Sequence, residues 1–176
     1  MAKQRSSSAK RSKPSGKPLT SVSADDIDGI LNELGAKYFK APAGNLWLIM
    51  VKDDSRVLHI NIGLLGGSGG VLPTLHIMVS SFTDALGEEE FPVAAKALLL
   101  RNDSMMLGKY SLRQNNDLVI EHAIPLDNAG ISKQQMHRTI SALGLEAHRC
   151  QFARKNGWNF ETASGVVSDG GQNVGG

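Results

Sequence analysis

The sequence predicts an α+β fold in the order α-β-β-β-α-β-β-α, a twisted and mainly antiparallel sheet with helices packed on it. Three observations carry that reading. Residues 46–80 hold three consecutive apolar or alternating segments separated by turn-forming residues. The stretch from Phe91 to Leu126 sets an apolar helix, an Arg-Asn-Asp stop, a short strand, a polar turn and a longer strand in succession. Helical periodicity with capping residues stands at both ends of the body.

Ser23 followed by Asp25 and Asp26 forms a helix start, because the serine caps free N–H groups and the acids favour the positive helix terminus. Ile27, Ile30, Leu31 and Leu34 recur at helical spacing, and Gly35 supplies the stop. Leu46–Val51 is an apolar run ending at the turn Asp53-Asp54-Ser55. From Val57 to Leu65 the chain alternates, with Leu58, Ile60, Ile62 and Leu64 opposite His59, Asn61 and Gly63. Past the loop Gly66–Gly70, Leu75, Ile77 and Val79 alternate with His76, Met78 and Ser80. Glu88–Glu90 place acids in the first turn of a second helix, Pro92 is tolerated only there, and the helix runs to about Asn102. Lys109–Arg113 and Leu118–Leu126 form a hairpin about Gln114–Asp117, with Pro125 suited to the end of an edge strand. Ser132 with Gln135 reads as a capping box for a last helix carrying Met136, Ile140, Leu143 and Ala147. The sheet therefore has five strands in this reading.

The 176 residues suit one domain with tails. Residues 1–22 are a basic segment expected to be disordered, 23–160 the α+β domain, and 161–176 a flexible Gly-rich tail. The net charge of +2 hides an asymmetry: residues 1–23 carry six basic and no acidic side chains, leaving 13 basic and 17 acidic in the rest. A basic arm is joined to a mildly acidic body. No apolar run approaches the ~18 residues of a membrane span, and the basic N-terminus lacks the apolar stretch of a secretory signal. Cys150 is the single cysteine, which excludes an internal disulfide and fits a reducing, cytoplasmic setting.

Four segments carry a resemblance. They are Leu98-Leu-Leu-Arg-Asn-Asp103 at the end of the second helix, Gly108-Lys-Tyr-Ser-Leu112, Leu118-Val-Ile-Glu-His-Ala-Ile-Pro-Leu126, and the linker Asp127-Asn-Ala-Gly-Ile-Ser132. Over roughly Ser23–Arg149 the chain resembles the Tir-chaperone-like fold, shared by type III secretion chaperones and the YbjN-like bacterial proteins. The resemblance implies a non-enzymatic, chaperone-like protein-binding module, often a homodimer, that engages partner segments along apolar patches. The basic arm and the tail beyond Trp158 depart from the secretion chaperones and favour a relative that shares the fold.

The residues themselves offer little chemistry. Gly66–Gly70 follows a strand, yet no Gly-Lys-Ser/Thr and no helix start follow it, so phosphate cradling lacks its donors and a hairpin loop is the reading. His59 and His76 face each other if their strands pair about that loop, but two imidazoles fall short of a stable metal site. His122, His137 and His148 add no ligand cluster, so no metal and no cofactor are expected. Cys150 has only Arg149 and Arg154 nearby to lower its pKa and reads as a structural thiol. No nucleophile-elbow pattern surrounds any serine. The expectation is that the chain is not an enzyme.

Binding surfaces are more legible. Leu98, Leu99 and Leu100 span about 200° of helix circumference, more than one sheet covers. With Met105 and Met106, whose side chains adapt to varied surfaces, they form a candidate dimer or partner interface. The alternative is that a loop or the last helix covers them. Lys3, Arg5, Lys10, Arg11, Lys13 and Lys17 are candidate polyanion contacts, although the arm has no aromatic residue for stacking on bases. The favoured function is non-catalytic binding of a protein partner through apolar surface. The rival is association with nucleic acid through the basic arm.

Overall fold

The computed structural model describes residues 22–53, 56–66, 72–127 and 130–165. Helix α1, Ala24–Glu33, opens the fold and is followed by strands β1 Tyr38–Lys40, β2 Leu46–Asp53, β3 Arg56–Leu65 and β4 Thr74–Ser80. Helix α2, Phe91–Ser104, leads to β5 Lys109–Leu112 and β6 Leu118–Pro125, and α3 Lys133–Lys155 and α4 Phe160–Gly165 close the chain. The sheet is wholly antiparallel in the order β1-β2-β3-β4-β6-β5. An α+β architecture stands as expected, with six strands in place of five.

The added strand is β1. Its three residues are too few to show a period, and Tyr38, Phe39 and Lys40 pair with Ile49, Leu48 and Trp47 at the sheet's edge. Residue alternation decides which face each remaining strand buries. Trp47 and Ile49, Leu58, Ile60 and Ile62, Leu75, Ile77 and Val79, and Ile120 and Ile124 form one apolar face. Onto it pack Ile27 and Leu31 of α1, Ala94 and Leu98 of α2, and Met136, Leu143, Ala147 and Cys150 of α3. The indole of Trp47 is fully buried because its N–H donates to Asp28 of α1 at 2.6 Å, which also holds Lys40.

Local chemistry sets the helix ends. Ser23 and Asp26 make a reciprocal capping box on α1, and Gly35 takes φ +70° after its end. The Ser132 hydroxyl accepts from the Gln135 N–H at 3.1 Å and starts α3, whose 23 residues run past Arg149 to Lys155. Helix α2 starts at Phe91, one step later than its acids suggest, so Glu88–Glu90 precede the helix. Glu90 instead receives Arg154 at 2.8 and 2.6 Å and the Trp158 indole at 3.0 Å, fastening the β4–α2 connection to the end of α3. Asn159 caps α4 through its side-chain oxygen, so helical structure crosses the expected boundary at residue 160.

Pro125 belongs to an interior strand, yet it meets its physical requirement. The neighbouring Leu126 N–H turns toward Pro73, so the proline nitrogen faces the side where β5 has already ended. His59 and His76 are not opposite each other: His59 faces Met50 and Ser80, and His76 faces Gly63 and Ala123. Gly67–Gly70 lie outside the described residues, and the segment after them enters β4, a strand, with no helix to hold a phosphate.

Gly108, between α2 and β5, holds φ +76°, and a Cβ there would lie 2.7 Å from Leu143 Cδ2 and 3.2 Å from the Glu121 carbonyl. Both the backbone and a fully buried leucine resist the change. Gly108→Ala is expected to cost about 2 kcal/mol or more in urea unfolding. A loss below about 0.5 kcal/mol would show that this junction yields freely.

Candidate functional site

Helix α2 packs beside β5, near the sheet's edge, and this offset divides its three leucines. Leu98 points into the core at 4% exposure, whereas Leu99 and Leu100 are 69% and 66% exposed. Leu98 is therefore a core residue, and its side chain also forms part of the floor of the groove beside Leu99. Leu99 lines an apolar groove of about 280 Å³ with Ala95, Tyr110, Leu112 and Leu118. Leu100 lines a second groove of about 470 Å³, mixed in character, with Ala97, Arg101, Trp158, Phe160 and Glu161. The helix is a ridge with one exposed leucine on each flank. Phe91 and Val93 extend the exposed apolar surface at its start. Met105 packs partly against the core and Met106 is fully exposed, but Met106 lies beside β6 in a separate groove. Lys3, Arg5, Lys10, Arg11, Lys13 and Lys17 lie outside the described residues.

The ridge is held by polar groups at the helix end. Arg101 makes a two-pronged pair with Glu146 of α3 at 2.6 and 2.7 Å. The Tyr110 hydroxyl donates to the Glu146 carbonyl oxygen at 3.0 Å and lies 3.1 Å from its carboxylate, while Arg149 adds a contact at 3.3 Å. Phe160 of α4 covers the site, 5.8 Å from the Arg101 guanidinium and 5.9 Å from the Tyr110 ring. Burial would raise the Glu146 carboxyl, but Arg101, with Tyr110 and Arg149, outweighs it and holds the carboxyl below the ordinary glutamate range. Asn102, the next residue, receives the Tyr110 N–H at 2.7 Å and donates to the Tyr110 carbonyl at 3.1 Å. Its amide thus stands where another strand would pair, and it blunts the outer edge of β5.

Among the described residues, no helix packs on the opposite face of the sheet. Phe39 and Met50 are each 62% exposed there. Toward β5 the face becomes polar around Glu121, which accepts from Ser111 at 2.6 Å and lies 3.2 Å from His76 and 3.5 Å from Arg113. Desolvation would raise this carboxyl, and Ser111, His76, Lys109 and Arg113 together lower it. His59 meets Ser81 at 3.1 Å, and Ser81 holds φ +62°. No carboxylate among the described residues orients that histidine, and an activated serine needs such a third group. Burial pushes the Cys150 thiol up to about 12, which leaves it protonated and a poor nucleophile. Among the described residues no three metal-ligating side chains gather, and no helix is long and apolar enough to cross a membrane.

A family model described as "Putative bacterial sensory transduction regulator" matches residues 45–161. The chain belongs to the YbjN family. Of the two groups that the sequence resembles, this match is to the YbjN one, and it takes in both grooves of α2 and the whole of its polar anchor. No curated protein matches the chain. Among solved structures it is similar to one titled "Crystal structure of YbjN, a putative transcription regulator from E. coli", with 15% identity, a TM-score of 0.44, and coverage of 72% of this chain and 86% of that one.

In this YbjN-family chain the Glu146 pair makes stability depend on pH. A depressed folded pKa means that the unfolded chain holds the proton more tightly. The contribution is complete above the ordinary glutamate pKa of about 4.3 and is lost as pH falls through the folded value. Glu146→Gln leaves Arg101 without its counter-charge and is expected to cost about 3 kcal/mol at neutral pH. The difference from the native chain shrinks below about pH 4. Urea unfolding across pH checks both, and a constant difference would contradict the assignment.

Proposed function

We propose that this YbjN-family protein is a non-catalytic regulatory adaptor that acts by binding another protein through the apolar ridge of α2, and that a second copy of itself is one such partner. The observation that carries this reading is the pair Leu99 and Leu100, each about two-thirds exposed on a helix anchored through Arg101 and Asn102. Aliphatic side chains on a fixed ridge gain about 25 cal/mol for each Å² withdrawn from water. The ordering cost is low because the helix is already in place. The description of the family as a regulator supports a role exerted through contacts. The sparse catalytic chemistry of the described residues points the same way. A chaperone-like service to a client polypeptide uses the same surface.

A second reading rests on the charge asymmetry of the chain, +6 in its first 23 residues against −4 in the remainder. In that reading the arm binds nucleic acid and the body supplies dimerisation. Affinity for a duplex probe then falls steeply with salt and disappears on deletion of residues 1–22.

Size-exclusion chromatography with light scattering across a concentration series tests the adaptor reading. The native chain is expected to dimerise at micromolar concentration, and the double variant Leu99→Glu, Leu100→Glu to remain monomeric with an unchanged unfolding transition. Both side chains already face solvent, so the change is expected to alter folding stability by less than about 0.5 kcal/mol. A strict monomer at high concentration overturns self-association. A dimer unaffected by the double variant removes the ridge from the interface.

A further inference from the structure

The two flanks of β6 are treated differently. Strand β5 pairs with β6 only as far as Lys109 and Glu121, while β6 continues to Pro125. Tyr110 turns its N–H and C=O outward to Asn102, so Lys109 and Ser111 direct theirs to β6. By the same alternation Val119, Glu121, Ala123 and Pro125 direct theirs toward the β5 side, in agreement with Leu126 donating to Pro73 on the β4 side. Beyond Glu121 the outward groups of Ala123 and the Pro125 carbonyl have no backbone partner among the described residues.

This open edge borders a groove of about 700 Å³ between β6 and the first half of α3. Met106, Ile124, Pro125 and Ala142 give it apolar walls, with Arg138 and Thr139 among its polar members. Arg138 is the one formal charge in the lining and has no ion pair among the described residues. Among the described residues no carboxylate lines the groove, although the body as a whole is acidic.

We propose that the groove receives an extended peptide segment of another protein, bearing a carboxylate, that adds as a short strand to Ala123–Pro125 and continues the line of β5. The exposed donor and acceptor of Ala123 call for backbone, which an extended chain presents and a helix does not. Pro125 offers an acceptor without a donor, so the pairing is short and side chains supply the rest of the recognition. One side chain of the peptide enters the apolar groove beside Met106 and Ala142, and its carboxylate meets Arg138. The basic arm of the chain has the wrong sign for that position. A second copy paired edge to edge brings two Arg138 side chains to one contact, which also disfavours it. This site is separate from the α2 ridge, so either can fail without the other.

An array of random peptides of about ten residues, probed with the full chain, supplies the ligand, since an added strand of this kind is short. The strongest binder is then labelled with fluorescein and titrated by anisotropy. Binders enriched in Asp or Glu are expected. Affinity is expected to weaken about tenfold or more in Arg138→Glu and in Ala142→Trp, and to be unchanged in Leu99→Glu. Methylating single backbone nitrogens of the peptide is expected to abolish binding at the position that donates to the Ala123 carbonyl and to weaken it at the position, two residues away, that donates to the Pro125 carbonyl. Thermal unfolding of each variant establishes that the fold is intact. The proposal is overturned if no peptide binds, if both groove variants bind as the native chain does, if only Leu99→Glu loses affinity, or if backbone methylation is tolerated throughout.

Discussion

The pair between Arg101 and Glu146 ties the consecutive elements α2 and β5 to α3, which the chain order keeps apart from them. Arg101 lies in the last turn of α2, Glu146 lies midway along α3, and the Tyr110 hydroxyl brings β5 to the same carboxylate. Strand β5 has only four residues and one strand neighbour, so the ladder alone holds it weakly. Asn102 takes the outer edge of Tyr110, and Phe160 closes over the guanidinium and the phenol. Two consecutive residues of α2 thereby position the helix on one side and finish the sheet on the other. Removal of one member leaves the remaining charge in a site with little water, where it is expensive.

This arrangement explains why α2 has an apolar outer surface. A helix centred over the sheet would bury leucines on a broad stripe. Moored at the sheet's edge, α2 has only Leu98 and Ala94 buried, and Leu99 and Leu100 remain on the two flanks of a ridge. Exposed leucines on a mobile segment would offer little, because ordering them on binding offsets the gain from burial. Fixed by the Arg101 pair, they present a surface whose conformational cost has been met during folding.

Much of the fold was legible because its strands are half-buried and alternate. The partition of Leu58, Ile60 and Ile62 from His59 and Asn61 needs only a period of two, and the structure keeps it. Strand β1 was not legible: three residues give no period, and its position depends on pairing with Leu48 and its neighbours. Register was also hidden, since alternation fixes the face that His76 takes but not whether it meets His59 or Gly63. Glu90 showed the limit of local rules. Helix electrostatics placed it in the first turn of α2, whereas Arg154 and Trp158, more than sixty residues later, determine its role. At the ridge the triple leucine announced an excess of apolar surface, but only the packing of α2 on β5 separates Leu98 from the other two.

The two free flanks of the sheet's last strands differ in how far each could accept another strand. The outer edge of β5 is an invitation to unwanted pairing, and Asn102 answers it with a side chain that satisfies both groups of Tyr110. The edge beyond Glu121 has no such cover among the described residues, although Pro125 shortens it and Arg138 gives it a sign. An edge blunted in one place and left open in another admits few strands, because length, charge and the shape of the groove must all be met together. The same economy applies to the ridge, where two leucines rather than a continuous apolar sheet limit nonspecific association. Were a strand to dock as proposed, its recognition would depend on where pairing is prevented as much as on where it is allowed.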